Sequence, residues 1–262
     1  MTRKIFYIFC LFSLLCLVKY TYSSEKITTF RWEIGEELIY QVKWTFIKLG
    51  ELRLQVIERD TLHSRPVYHC RIKIDSSPGL FIINLHDIYE SYIDAEEYYS
   101  HLFRSYEKKA DHLLYTQFEY DPEVNQVKIS IEKQREDRTE VMVDSVISTK
   151  SKIQDSLSLL YLARAMAKKE MHSELAVLIY TEFKWTQLHI RGQQEKVDWR
   201  DQDIPAYPLN GQLKFVGLAG MKEDYSGWFS ADSQSVPLKA IMKAFIGSVR
   251  IELIEWSNWK SN

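Results

Sequence analysis

Cysteine is scarce in this chain of 262 residues, which contains three. Two of them, Cys10 and Cys16, lie in an apolar N-terminal stretch, so that only Cys70 remains in the rest of the sequence. One cysteine cannot form an internal disulfide, and this excludes the disulfide-stapled class of small secreted proteins. Apolar and polar residues alternate around Cys70, a pattern that favours a buried structural thiol over a reactive one.

Glycine and proline are also few, with nine and six residues. The sequence has no linker rich in Pro, Gly or Ser, no internal repeat and no low-complexity tract. We therefore expect a single domain over residues 24–262. Two subdomains joined near Ser148–Lys152 are the alternative.

Motifs for catalysis and metal binding are missing. None of the seven histidines lies in a closely spaced ligand pattern such as His-Glu-x-x-His, and there is no Gly-x-Ser-x-Gly elbow or phosphate-binding Gly-rich loop. Asp87 and Asp94 resemble an acid–base pair, but seven residues along a strand separate them by about 23 Å. The sequence therefore predicts no catalytic residue, no metal and no cofactor.

Only one long hydrophobic run occurs, at the N-terminus. Two basic residues precede Ile5–Val18, which is apolar except for one serine, and Thr21–Ser23 then fits a cleavage site. This layout is typical of a secretory signal peptide over residues 1–23, because fourteen residues fall short of the roughly twenty that span a membrane. An uncleaved anchor is one alternative. A lipid on Cys16 is another, although Leu15 is bulky where lipoprotein signals have a small residue.

Export sets the expected compartment and partners. We expect the mature chain to be periplasmic, with a lipid-anchored or extracellular location as alternatives, and to have no transmembrane segment. Removing residues 1–23 takes away three cations, so the formal net charge falls from −2 to −5. This acidity disfavours binding to nucleic acid or to an anionic membrane.

Most of the remaining sequence alternates with the period of a β-strand. The segment Glu36–Phe46 places apolar side chains on one face, a turn is predicted at Lys48–Gly50, and a second strand follows. The dipeptide Asn210-Gly211 is typical of a tight hairpin turn. Gln154–Glu170 differs, because it is apolar almost all the way round. It predicts a helix over residues 152–170, opened by a capping box at Ser151 and Gln154.

These patterns predict the fold class. We expect a mainly β (β-rich α+β) protein, in which a curved antiparallel sheet or open barrel wraps around one central helix. So wide an apolar surface on the helix requires burial on more than one side. A sheet that curls around the helix supplies those contacts.

Four stretches together resemble an exported bacterial family known as domain of unknown function three-one-zero-eight. They are the opening strands, "DIYESYID", the helix start "QDSLSLLYLAR" and the ending "SGWFSADSQSVPL". The residues that carry the resemblance are Gly35, Gly50, Ser91, Asp94, Asp155, Ser158, Asp232 and Pro237. The resemblance implies a curved sheet on a helix, similar to periplasmic carriers of lipoproteins, and no established activity. Gln234–Val236 replaces residues that tend to be basic in the family, which argues against an anion site there.

The sequence leaves three functions open. The first is binding of an apolar or lipid-like ligand between sheet and helix, with Tyr40, Trp44, Tyr161 and Trp228 as candidate contacts among the seven tryptophans and many tyrosines. The second is an envelope scaffold or assembly factor that binds a protein partner. The third is a hydrolase of envelope polymers, which requires convergent carboxylates. Its candidates are Asp87, Asp94, Asp155 and Asp232.

Overall fold

The computed structural model describes residues 30–80, 84–213, 223–243 and 247–260. The predicted signal peptide at residues 1–23 lies outside them. Fifteen strands form one antiparallel sheet. They are β1 (Glu37–Trp44), β2 (Ile47–Leu62), β3 (Arg65–Ser76), β4 (His86–Asp94), β5 (Ser100–Lys108), β6 (Leu113–Asp121), β7 (Gln126–Gln134), β8 (Thr139–Ser148), β9 (Met171–Ile179), β10 (Glu182–Ile190), β11 (Glu195–Trp199), β12 (Gln202–Leu213), β13 (Glu223–Ser230), β14 (Pro237–Lys243) and β15 (Ser248–Ser257).

The sheet consists of two meanders, β1–β8 and β9–β15, which are joined because the first strand pairs with the last. From β8 the order runs back to β1, continues to β15 and then returns through β14, β13, β12 and β10 to β9, while β11 pairs with β12. The central contact is β1 against β15, with Glu37 opposite Ser257. Within the described residues β8 and β9 do not pair with each other, so the sheet is open. The prediction of a mainly β, antiparallel fold is confirmed.

Alternation of side chains explains why these segments are strands. In β7, Val127, Ile129 and Ile131 are buried, whereas Gln126 before them and Lys128 between them are exposed. Successive side chains of a strand point to opposite faces, so a period of two buries one face of the sheet. This inner face supplies most of the apolar core.

Cys70 in β3 is buried and free, as the alternation around it predicted. Burial raises the pKa of its thiol, because the thiolate is poorly solvated there. The thiol therefore packs as a small apolar group.

One helix, α1, occurs in the described residues and spans Ser156–Met166. It is shorter than the predicted 152–170, and its capping box is formed by Asp155 and Ser158. Gln154 has extended backbone instead of closing a cap. Its N–H donates to the carbonyl of Ala176 in β9 at 3.1 Å, which keeps this residue out of the helix.

Helix α1 packs against strands from both meanders. It contacts β3, β4 and β9. Leu157 and Tyr161 belong to the largest core cluster, whereas Ala163 belongs to a separate cluster with Leu188 and Phe229. No helix of the described residues is long and apolar enough to cross a membrane.

Two predicted turns are wrong for the same reason. The β1–β2 turn lies at Thr45 and Phe46 rather than at residues 48–50, and Asn210-Gly211 lies inside β12. At Gly50 a Cβ atom would stand 2.2 Å from the carbonyl oxygen of Asp75. At Gly211 it would stand 2.1 Å from the carbonyl oxygen of Gln187. Both glycines permit close approach of neighbouring strands rather than a turn.

Candidate functional site

An apolar cavity of about 460 Å³ lies between α1 and the inner face of the sheet. Its helical wall is the stripe Ser156, Leu159, Leu160 and Ala163. The spacing i, i+3, i+4, i+7 places these residues on one face of a helix. Leu159 and Leu160 line the cavity and are half-buried, and Leu160 also packs against the main core cluster.

The opposite wall comes from strands of both meanders near the β1–β15 junction. Val42 of β1, Val249 and Ile251 of β15, and Ala240 and Met242 of β14 line it. They are cross-strand neighbours, since Val42 pairs with Ile251 and Met242 pairs with Val249. The wall is therefore a continuous aliphatic surface.

Polar groups at the cavity are few, and several have partners elsewhere. The ammonium group of Lys239 donates to the carbonyl of Asp198 at 3.0 Å. The indole Nε1 of Trp228 donates to a carboxylate oxygen of Glu195 at 2.7 Å. These hydrogen bonds already satisfy the polar groups of Lys239 and Trp228. The cavity surface therefore favours apolar groups of a ligand over polar ones.

A buried ion pair ties α1 to the start of the sheet. Both terminal nitrogens of Arg164 donate to the two carboxylate oxygens of Glu36 at 2.6 Å, and its Nε donates to the carbonyl of Gln234 at 2.9 Å. Both side chains are 1% exposed. Burial alone would lower the pKa of Arg164, but the charge and hydrogen bonds of Glu36 raise it. This bidentate geometry fixes the rotation of α1 about its axis.

A second polar cluster fixes the N-terminus of the helix. One carboxylate oxygen of Asp155 accepts from the backbone N–H groups of Leu157 and Ser158 at 2.7 and 2.8 Å, and the other accepts from the hydroxyl of Ser91 at 2.6 Å. Burial raises the pKa of Asp155, and these hydrogen bonds oppose the rise. The cap therefore attaches the first turn of α1 to β4.

Asp94, at the end of β4, is a third buried carboxylate. It accepts from Nε of Arg65 at 2.6 Å, from Nε2 of His101 at 3.0 Å and from the backbone N–H groups of Glu96 and Glu97. Burial alone would raise the pKa of this carboxyl, but the hydrogen bonds from His101 and Arg65 hold it well below its usual range. The cluster closes the β4–β5 turn.

The remaining resemblance residues hold the C-terminal end against the sheet. Asp232 accepts from Nε1 of Trp259 at 3.0 Å, and the carbonyl of Pro237 accepts from the hydroxyl of Tyr40 at 2.9 Å. Gly35 has a φ of +79°, a conformation that glycine adopts without strain. Of the residues that carry the resemblance, Ser91, Asp155 and Ser158 meet at the start of α1. Asp94, Asp232 and Pro237 have separate partners.

The model of a protein family of unknown function, DUF3108, matches residues 39–254. This chain belongs to DUF3108. Among curated proteins, none matches the chain.

Solved structures similar to this DUF3108 chain share little sequence with it. A β-barrel-like protein of another domain of unknown function, DUF1849, from Brucella abortus is similar with a TM-score of 0.55 and 11% identity, over 87% of this chain and 99% of that one. A putative exported protein with a YmcC-like fold from Bacteroides fragilis gives a TM-score of 0.40 and 8% identity, over 88% and 99%. The first likeness concerns the fold alone.

The four aromatic residues predicted as ligand contacts of this DUF3108 chain lie in different places. Trp228 lines the cavity. Tyr40 and Tyr161 are buried in the main core, where the hydroxyl of Tyr161 donates to the carbonyl of Gln55 at 3.3 Å. Trp44 is half-buried at the end of β1 and does not line the cavity. A role in ligand binding stays a prediction for all four.

The acidic residues considered for catalysis in this DUF3108 chain have separate partners. Asp94, Asp155 and Asp232 hold the contacts described above, and Asp87 accepts from the backbone N–H of Lys108 at 3.0 Å. Burial raises the pKa of Asp87. Within the described ranges, no group of three or more His, Cys, Asp or Glu side chains is placed to hold a metal ion.

The sequence analysis missed the aliphatic lining of the DUF3108 cavity. Leu159, Leu160 and the strand residues opposite them read as ordinary core positions, because apolar spacing is the same for a packed face and for a face on a void. A signal was present in the helix, whose apolar surface is wider than one packed face needs. Nothing in the sequence says which part of that surface is left unpacked.

Proposed function

We propose that this DUF3108 protein is exported and non-enzymatic, and that it binds an apolar, lipid-like ligand in the cavity while the sheet curves around α1. The cavity carries this proposal. Its volume of about 460 Å³ lies in the range of about 300–1,000 Å³ that is typical of ligand sites. Its walls are aliphatic side chains of the helix and of both meanders.

An uncovered apolar surface of this extent is costly to a protein. The cavity is partly open to solvent, so its aliphatic lining meets water unless a ligand covers it. The Glu36–Arg164 pair and the Asp155 cap hold α1 in place, and Leu159 and Leu160 remain half-buried at the cavity. An apolar ligand that fills the space supplies the missing contacts.

The lining selects the class of ligand. An acyl chain needs no hydrogen-bond partner and matches a carbon surface, whereas a sugar or a nucleotide would lose its hydration without compensation. Lys239 is the one basic side chain at the cavity among the described residues, and it already contacts the carbonyl of Asp198 and a carboxylate oxygen of Glu252. A polar head group is therefore expected to stay in solvent.

The proposed compartment is the periplasm. Its support is the sequence of residues 1–23, in which a basic start, an apolar run and small residues follow one another. Mass spectrometry of the chain recovered from the periplasmic fraction tests this part separately, since a retained Met1 would contradict it.

Filling the cavity is expected to abolish ligand binding without unfolding the protein. In Ala240→Phe the new ring occupies space that the alanine leaves open on β14. Native mass spectrometry after gentle purification should show acyl lipid bound to the parent and not to this variant. Titration with a pyrene-labelled fatty acid should show at least a tenfold weaker affinity in the variant.

Ala110→Phe is the matched control, because it adds the same ring at an exposed turn between β5 and β6. Its affinity for the fatty acid should equal that of the parent. Equal binding by all three proteins, or a parent that carries no lipid and ignores the probe, would remove the basis of the proposal.

One observation favours the scaffold function as a second candidate. Strand β8 is an end of the sheet and exposes Val141, Met142 and Val146, with 60%, 46% and 59% of their surfaces in solvent. A free apolar edge can pair with a strand of another protein. A photo-crosslinker at Val146 should then capture one specific protein in cells, and Val141→Lys should abolish the capture. A crosslinker at exposed Val124 is the control, and the same products at both positions would argue against a scaffold.

A further inference from the structure

The tip of the β1–β2 hairpin exposes two large apolar residues. Phe46 lies in the turn with 90% of its surface in solvent, and Ile47 follows it with 36% exposed. Phe46 is the most exposed large hydrophobic residue of the described chain. An aromatic side chain at the end of a hairpin contributes nothing to the core, which points to a contact outside the molecule.

Three cations lie side by side next to this tip. Lys43 of β1 stands opposite Lys48 of β2 on one side and opposite Arg250 of β15 on the other. Like charges at directly opposed positions destabilise a sheet. Lys48 pairs with Glu51 at 2.7 Å, whereas no carboxylate in the described parts of the chain forms an ion pair with Lys43 or Arg250. The tip therefore carries unbalanced positive charge.

The cations occupy the outer face of the sheet. Val42 and Val249 line the cavity on the inner face, and Lys43 and Arg250 alternate with them along β1 and β15. The apolar pair Phe46 and Ile47 projects beyond these cations at the end of the hairpin. A bilayer with anionic head groups matches this arrangement, because its acyl region takes apolar side chains and its surface takes the cations.

We infer that the β1–β2 tip docks on an anionic lipid bilayer, with Phe46 and Ile47 inserted and with Lys43, Lys48 and Arg250 against the head groups. The net negative charge of the chain opposes adhesion over the whole surface, but the field of a charged group is screened beyond about 10 Å at moderate salt. The local cations therefore dominate at the tip.

The cavity reaches the same end of the molecule. Met242 and Val249 line it on either side of the β14–β15 connection, and Gly50 and Ser76 line it where β2 begins and β3 ends. The cavity is also open to solvent over part of its boundary. Docking through this end brings the aliphatic walls next to the lipid surface.

The sequence repeats the apolar pair of the tip. Phe81-Ile82 lies between β3 and β4, and Phe245-Ile246 lies between β14 and β15. Both pairs are outside the described residues and form no part of the proposed surface.

Vesicle binding tests the inference. The chain as processed by the cell, with its N-terminus established by mass spectrometry, is sedimented with phosphatidylcholine vesicles that contain or lack phosphatidylglycerol. The parent should bind the anionic vesicles at low salt and dissociate as salt rises. Phe46→Ser should lower the partition coefficient about tenfold or more. Lys43→Gln and Arg250→Gln should each lower it about fivefold.

Two exposed residues distant from the tip provide matched controls. Val124→Ser changes an apolar side chain in the β6–β7 turn, and Lys128→Gln removes an exposed cation of β7. Both should bind like the parent. Equal binding by Phe46→Ser and the parent would overturn the inference. So would a parent that binds no pure lipid vesicle and attaches only to membranes that contain protein, which would assign the tip to a protein partner. The assay needs no ligand in the cavity, so its outcome is separate from that of the proposed function.

Discussion

Glu36→Ala should lower the free energy of unfolding by about 3–5 kcal/mol, because it leaves the guanidinium of Arg164 buried without its carboxylate. Arg164 is 1% exposed, so water does not replace the lost partner. The carbonyl of Gln234 still accepts one hydrogen bond and retains part of the cluster. Urea unfolding followed by tryptophan fluorescence measures the change.

A double variant separates the loss of the pair from the cost of an unpaired charge. Arg164→Met combined with Glu36→Gln removes both charges and keeps similar volumes, so it should be more stable than Glu36→Ala. Glu182→Ala breaks an exposed ion pair with Lys184 and should cost less than about 1 kcal/mol. A loss for Glu36→Ala as small as that of Glu182→Ala would contradict the structural role of the buried pair.

Asp94→Asn should remove about 3 kcal/mol of stability at neutral pH, because Arg65 and His101 lose the buried carboxylate that they share. It should also change the acid sensitivity. The pKa of Asp94 is lowered in the folded protein, so its stabilisation is present above the ordinary Asp pKa of about 3.9 and is lost as the pH falls through the folded value. The variant should therefore lose less stability than the parent below about pH 4.

Urea midpoints measured between neutral pH and pH 2 test this expectation. Some acid sensitivity should remain in Asp94→Asn, since His69 and Arg71 lower the pKa of Glu90 to about 2. Asp144→Asn, at an exposed position of β8, should follow the parent at every pH. A profile of Asp94→Asn parallel to that of the parent would show that Asp94 does not contribute to the acid response.

The sequence predicted most strands, because side chains that alternate between apolar and polar also alternate between the buried and the exposed face of a sheet. Leu38 and Tyr40 lie two residues apart on one face, and both are buried in β1. Strand β8 was not predicted, because the highly charged segment Glu132–Glu140 at its start favours the exposed end of a hairpin. The wrong turn at Gly50 has another cause. Close approach of two backbones and a tight turn both require glycine, and only the partner strand distinguishes them.

The candidate site was less accessible from the sequence than the fold. The helix and its apolar surface were predicted, but its start at Ser156 depends on the backbone pairing of Gln154 with β9. The cavity depends on how the strands pack around Leu159 and Leu160. No local sequence pattern encodes that packing. The pairing of Glu36 with Arg164 joins residues 128 positions apart, so it too appears only in the folded chain.

The contact between β1 and β15 has a consequence for the order of folding. Glu37 lies opposite Ser257, so the first strand of the sheet acquires its second neighbour only when the last strand is available. Contacts so distant in sequence are slow to form, and a chain still being made lacks them altogether. The two meanders thus stay unjoined until β15 has been synthesised. Until then the chain lacks the central contact of its sheet and stays incompletely folded.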